Sequence, residues 1–211
     1  MLDVSGIACR RGERRLFANL SFQLAEGRLL RVAGANGSGK TSLLRILCGL
    51  LTPSEGVVLW NSQPIATQLE DYHRALAYLG HFNGLKEEMT PHENLGVASA
   101  LAGTPAGYAA RLSALEGFGV AHCADLPVRH LSQGQRRRVA LARLVLHTSA
   151  RVWILDEPFN SLDAGAVTEL ERLITGRVDS GGMVVLTSHL EATIATSSMM
   201  LINLDQLEDR G

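Results

Sequence analysis

Lysine is almost missing from this chain of 211 residues: Lys40 and Lys86 are the only two, and arginine carries the rest of the basic charge. The 20 basic and 21 acidic residues nearly cancel, so the surface lacks the basic excess that nucleic acid usually draws, and no nucleic-acid partner is expected. Cysteine is scarce as well. Cys9, Cys48 and Cys123 are odd in number, far apart and without a C-x-x-C pair. That excludes a disulfide framework and a paired-cysteine zinc site, and leaves buried, inert thiols in a reducing compartment. No apolar run approaches the ~18 residues that a membrane span needs. The start, Met1-Leu2-Asp3-Val4, lacks a basic segment followed by an apolar one, so no signal peptide is expected. Any connection to a membrane is expected to run through another protein.

What is present suits one α/β domain over residues 1–211. Leu20, Phe22 and Leu24 alternate with Ser21, Gln23 and Ala25, the period of a half-buried strand. Leu29–Ala33 is a short apolar run ending at a glycine-rich turn. A helix is expected over 40–48, stopped by Gly49, and a strand over 57–60. Thr90-Pro91-His92-Glu93 has the pattern of a capping box with proline at the first helical position. From there the chain turns Ala- and Leu-rich, which reads as a helical subdomain at about 90–135 inserted between two strand-bearing halves. Strand patterns return at Val152–Leu155 and 183–186. Strands alternating with helices favour a largely parallel sheet covered by helices.

Gly34-Ala35-Asn36-Gly37-Ser38-Gly39-Lys40-Thr41 matches G-x-x-x-x-G-K-[ST], between an apolar strand and a helix. Its glycines let backbone N–H groups curl around phosphate oxygens, and the following helix directs its positive end at them. Lys40 is expected to reach the β- and γ-phosphates of ATP and Thr41 to ligate Mg²⁺. Farther on, the apolar stretch Val152-Trp153-Ile154-Leu155 ends in Asp156-Glu157. A parallel strand would deliver both acids to the sheet edge where ligands collect. Asp156 is expected to hold the metal, and Glu157 to polarise the attacking water.

Leu131-Ser132-Gln133-Gly134-Gln135 runs into Arg136-Arg137-Arg138 and an Ala-rich helix. Taken alone this is a capped helix start with an exposed basic face. Beside the other motifs it resembles the signature of the ATP-binding-cassette (ABC) family, L-S-G-G-Q, with Gln133 at a commonly variable position. Ser161-Leu162-Asp163 then resembles the family's D-loop, and His189 its switch histidine. The resemblance spans nearly the whole chain. It implies a P-loop NTPase fold with a RecA-like core, an antiparallel β subdomain and an inserted α-helical subdomain. It also implies a dimer of two copies, each ATP lying between one copy's phosphate loop and the other's Ser132–Gly134 segment. Two positions depart from the family pattern. His81 stands where the Q-loop glutamine is expected. Arg10 or Arg11 stands where an aromatic residue would stack on adenine; Arg11 can take that role, or nothing stacks specifically.

Three uses share these motifs: an engine for a membrane protein, a soluble machine on DNA or ribosomes, and a module that hydrolyses little. The coiled coils and fused cassettes of soluble machines are missing, and Glu157 and His189 argue for turnover. The segment from Gly80-His81-Phe82-Asn83-Gly84-Leu85-Lys86 to Glu93-Asn94-Leu95 resembles one subfamily, the ATP-binding subunits of bacterial cytochrome c maturation, or haem export, systems. Another small exporter is the alternative. That resemblance implies integral membrane subunits B, C and D as partners, a peripheral place on the cytoplasmic face of the inner membrane, and haem delivery as the work done. With no Cys-Pro or paired-histidine site, the chain itself is not expected to bind haem.

Overall fold

Period-two alternation in the first sixty residues builds an antiparallel sheet. β1 (Leu2–Arg11) and β2 (Arg14–Leu24) form its hairpin, and β4 (Glu55–Trp60) and β5 (Gln63–Pro64) extend it in the order β2-β1-β4-β5. Leu20 and Leu24 turn inward while Ser21 and Gln23 face out. The computed structural model describes residues 1–188, 194 and 198–206.

The second sheet is parallel. It joins β6 (Leu76–Leu79), β7 (Val152–Leu155), β8 (Met183–Thr187), β3 (Leu29–Ala33) and β9 (Met199–Asn203), in the order β6-β7-β8-β3-β9. Every residue of β7 and β8 is buried, as expected of central strands covered on both faces. Trp153, Leu155, Val184 and Leu186 face one core, shared with α5 (Gln133–Leu146) and α6 (Ala164–Asp179). Val152, Ile154 and Val185 face the other, shared with α1 (Lys40–Leu47) and the antiparallel sheet. Full burial of each such side chain is worth about 1.5–3 kcal/mol, enough to fix which face each residue takes.

α2 (Leu69–Arg74) precedes β6, and α3 (Pro91–Leu101) and α4 (Tyr108–Gly117) lie between β6 and α5. The capping box at Thr90 is formed, with Thr90 Oγ1 accepting from Glu93 N at 3.1 Å and Glu93 accepting from Thr90 N at 2.8 Å. All three cysteines are free and buried, and burial raises each thiol pKa. Among the described residues no helix is long and apolar enough to cross a membrane, and no group of three or more His, Cys, Asp or Glu side chains could hold a metal.

Candidate active site

The parallel register brings the phosphate loop and the acid strand to one edge. The loop leaves β3, the two acids leave β7, and β8 lies between the two strands. Thr187, the last residue of β8, bridges them. Its Oγ1 donates to Asp156 Oδ1 at 2.8 Å and accepts from Glu157 N at 2.8 Å. The other carboxylate oxygen, Asp156 Oδ2, accepts from Thr41 Oγ1 at 2.8 Å. Two hard oxygen ligands thus lie side by side where the loop becomes a helix, the donor type that Mg²⁺ takes.

The loop itself is shaped by backbone that only glycine adopts readily. Gly34, Gly37 and Gly39 have φ of 146°, 86° and 101°. A Cβ at Gly39 would come within 3.1 Å of both Leu16 and Phe17, so β2 packs directly against the loop. Gly39 is the N-cap of α1 and no side chain caps that helix, which leaves the N–H groups of its first turn to whatever the loop encloses. Lys40 is buried, its Nζ donating to Gly34 O at 2.7 Å and Ala35 O at 3.1 Å. Ser38 Oγ is buried without a hydrogen-bond partner, a polar atom inside the loop that the chain leaves unsatisfied. The donor set, the bare helix end and this buried hydroxyl together fit a polyphosphate with its metal.

A cavity of about 410 Å³ opens here, lined by Lys40 and Thr41 with Asn36, Gly37 and Gly39 of the loop, by Asp156 and Glu157, and by Arg11 and His81. The residues expected to meet the nucleotide therefore converge from four separate stretches of chain. Leu16 and Asn160 line it too, and no motif marks either one. His189 lies outside the described residues.

The signature residues do not line this cavity. Ser132 caps α5, its Oγ accepting from Gln135 N at 3.2 Å while Gln135 accepts from Ser132 N at 2.8 Å. Ser132 and Gln133 are exposed, Gly134 and Gln135 half-buried and Leu131 buried. A Cβ on Gly134 would stand 3.1 Å from Ser161 O, so this helix end touches the D-loop of its own chain. In that loop Leu162 packs on the core, and Asp163 caps α6 through Ala166 N at 2.9 Å.

The basic run at the start of α5 is not exposed at its centre. Arg137 is 5% exposed. Its guanidinium donates to Gly80 O, Asn83 Oδ1, Asp156 O and Glu157 O at 2.8–3.2 Å. Burial lowers its pKa, and the Asp156 and Glu157 carboxylates oppose that shift. One buried cation thus joins the signature helix, the acid strand and the segment after β6. Arg136 reaches Glu87, and Arg143 reaches Asn83 O at 2.6 Å, so the same helix grips residues 80–87 along its length. Nothing in the run of three arginines marked the middle one as buried, because burial came from tertiary acceptors far along the chain.

This fold and site define an ATPase of the ABC cassette class. The family model described as "ABC transporter" matches residues 17–160. Two solved structures share the fold. One, an ATP-binding subunit of an ABC transporter, has a TM-score of 0.83 at 24% identity, covering 97% of this chain and 86% of that one. The other, a dimeric ATP-binding cassette in a post-hydrolysis state bound to ADP and Pi, has a TM-score of 0.82 at 22% identity, covering 97% and 95%. Curated relatives are nearer. The cytochrome c biogenesis ATP-binding export protein CcmA of Aromatoleum aromaticum is 49% identical over 95% of this chain and 94% of its own. The protein of that name from Pseudomonas aeruginosa is 48% identical over 93% and 97%. The chain belongs to this family of cytochrome c biogenesis ATP-binding export proteins.

Proposed function

We propose that the chain is the ATP-hydrolysing subunit of a membrane ABC complex that drives haem export or delivery for cytochrome c biogenesis. The observation that carries the chemistry is the convergence of Lys40, Thr41, Asp156 and Glu157 on one cavity. Near 49% identity along almost the full chain supports the choice of pathway.

The residues divide the work as follows. Main-chain N–H groups of residues 34–41, that of Ala35 apart, and the bare end of α1 bind the phosphates, and Lys40 exchanges its carbonyl partners for the β- and γ-phosphate oxygens. Thr41 and Asp156 hold Mg²⁺, which when bound neutralises phosphate charge. Glu157, whose φ of 47° breaks the extended course of β7, orients and deprotonates the attacking water. His81 takes the Q-loop position, Arg11 covers the base or leaves it uncovered, and His189 contacts the γ-phosphate. A single domain, with 90–135 as its helical part, carries all of this.

A second copy completes the site. Each copy offers Leu131 to Gln135 to the nucleotide of the other, with Ser161, Leu162 and Asp163 along the seam. ATP then favours the closed pair, and hydrolysis releases it. The membrane subunits B, C and D meet the segment 80–95, where Phe82 is 83% exposed beside the residues that α5 grips. That arrangement holds the chain peripherally on the cytoplasmic face of the inner membrane, with no contact to haem.

Expression in a Gram-negative host lacking its own cytochrome c maturation ATP-binding subunit tests this reading. Covalently attached haem in periplasmic c-type cytochromes is the readout. Wild type should restore it and Glu157→Gln should not. Failure of well-expressed wild type, in a host that the native subunit rescues, would pass the lead to another small exporter.

A further inference from the structure

β9 closes one side of the parallel sheet, and the turn after it carries a carboxylate that no motif accounts for. It runs beside β3, Val32 against Ile202 and Ala33 against Asn203, so the chain leaving β9 emerges next to the phosphate loop. There the turn Leu204–Gln206 directs Asp205 at the loop, and both carboxylate oxygens accept from Ala35 N, at 2.9 and 3.0 Å. The turn is anchored twice. Leu204 is fully buried, and Asp205 N donates to Asn203 Oδ1 at 3.1 Å.

The same short stretch of loop is held from its other side. Lys40 Nζ donates to Gly34 O and Ala35 O, and Ser38 N donates to Ala35 O at 3.2 Å. A carboxylate therefore fixes the N–H of Ala35 while an ammonium fixes the carbonyls around it. The approach is close: a Cβ on Gly34 would lie 3.2 Å from Asp205 Oδ1 and 2.5 Å from Ser38 Oγ.

We propose that Asp205 is a positioning residue for nucleotide binding, fixing the first turn of the phosphate loop, and with it the rest of Lys40, without touching the nucleotide. The inference rests on the ATP-binding reading above. Two effects of this carboxylate oppose each other. Its charge repels a polyphosphate, but Asp205 is solvent-exposed, and the high dielectric of water around it weakens that repulsion. Its hydrogen bonds are short-range and directional, and they order the loop before the ligand arrives, which removes that ordering cost from binding. Positioning therefore outweighs repulsion.

Titration of the purified full chain with a fluorescent ATP analogue and Mg²⁺ decides the point, alongside the nucleotide-free melting temperature. Asp205→Ala should raise Kd about fivefold, the scale of one charge-assisted hydrogen bond partly exposed to water, and leave melting within about 2 °C. Asp205→Asn keeps an acceptor oxygen for Ala35 N and should recover most of the affinity. An unchanged Kd in Asp205→Ala would overturn the proposal. So would tighter binding by either variant, which would mean that repulsion dominates. Should Asp205→Ala fail to fold, Asp205→Asn carries the test alone, a Kd about twofold above wild type at unchanged melting supporting the proposal. Absence of binding by wild type would overturn the nucleotide reading itself, a different result from equal binding by wild type and variant.

Discussion

Two helix N-termini in this chain are proposed to meet a triphosphate, one in the chain's own cavity and one in that of a second copy, and they are built in opposite ways. α1 begins on a left-handed glycine with no side-chain cap, inside a cavity, with Lys40 folded over it. α5 begins on a formed capping box, with Ser132 and Gln133 exposed and no place in that cavity. An uncapped helix end leaves its N–H groups to water or to a ligand, so the start of α1 suits an anion as its cap. α5 needs no ligand to be stable. Its Ser132 oxygen is already committed to Gln135 N, and it acts as a finished surface presented to another molecule. One chain thus holds a bare half-site and a capped half-site, as an arrangement of two copies requires.

Breaking the bare half should have the largest effect. Lys40→Ala removes the only cation on the loop and should weaken Mg-ATP binding on the order of 100-fold, because charge-assisted bonds to phosphate are among the strongest available. Calorimetric titration measures it. Affinity within a few-fold of wild type would show that the bare helix end and glycine loop hold the phosphates without the lysine, and the contrast between the two helix ends would lose half its content.

The tie between the halves comes next. Arg137→Met should keep the side-chain bulk while stranding the Gly80 and Asp156 carbonyls and leaving Glu157 O with only Asn160 N, at 3.3 Å. Stranded buried acceptors cost about 1–3 kcal/mol each when no water replaces the donor; allowing for partial rescue, a net loss of about 3 kcal/mol is expected. For a chain this size that lowers the melting temperature by about 6–12 °C. A change under about 2 °C would mean that water reaches these carbonyls and that α5 is not anchored through Arg137.

How legible these features were in sequence follows from whether their geometry is local. The phosphate loop, the capping box at Thr90, the capped helix start at Ser132 and the α1 stop at Gly49 are set by neighbours within a few residues, so pattern alone located them. Strands β7 and β8 were legible because burial on both faces forces an unbroken apolar run. Arg137, Thr187 and Asp205 were not, because each acts through partners at a distance: Arg137 on Gly80, Thr187 on Asp156, Asp205 on Ala35. A polar residue closing an apolar strand, as Thr187 does, is a signal that could have been taken. Asp205 offered none, since only the pairing of β9 with β3 gives it meaning. The burial of Arg137 inside the basic run of α5 was hidden for the same reason, its acceptors being supplied by two other segments.

The capped half makes the smallest expected change in the isolated chain, and the sharpest distinction. Ser132→Ala removes an N-cap oxygen and should cost about 1 kcal/mol of stability, near 2–4 °C in melting temperature. Affinity for Mg-ATP in the single chain should stay unchanged, since Ser132 does not line its own chain's cavity. Pairing should not survive so well. In a Glu157→Gln background, where bound ATP is not consumed, size-exclusion chromatography should register an ATP-dependent dimer that Ser132→Ala weakens. If Ser132→Ala instead weakened ATP binding by the monomer, the signature helix would be contributing within one chain. The two helix ends would then serve one site together, and the division of labour between them would be gone.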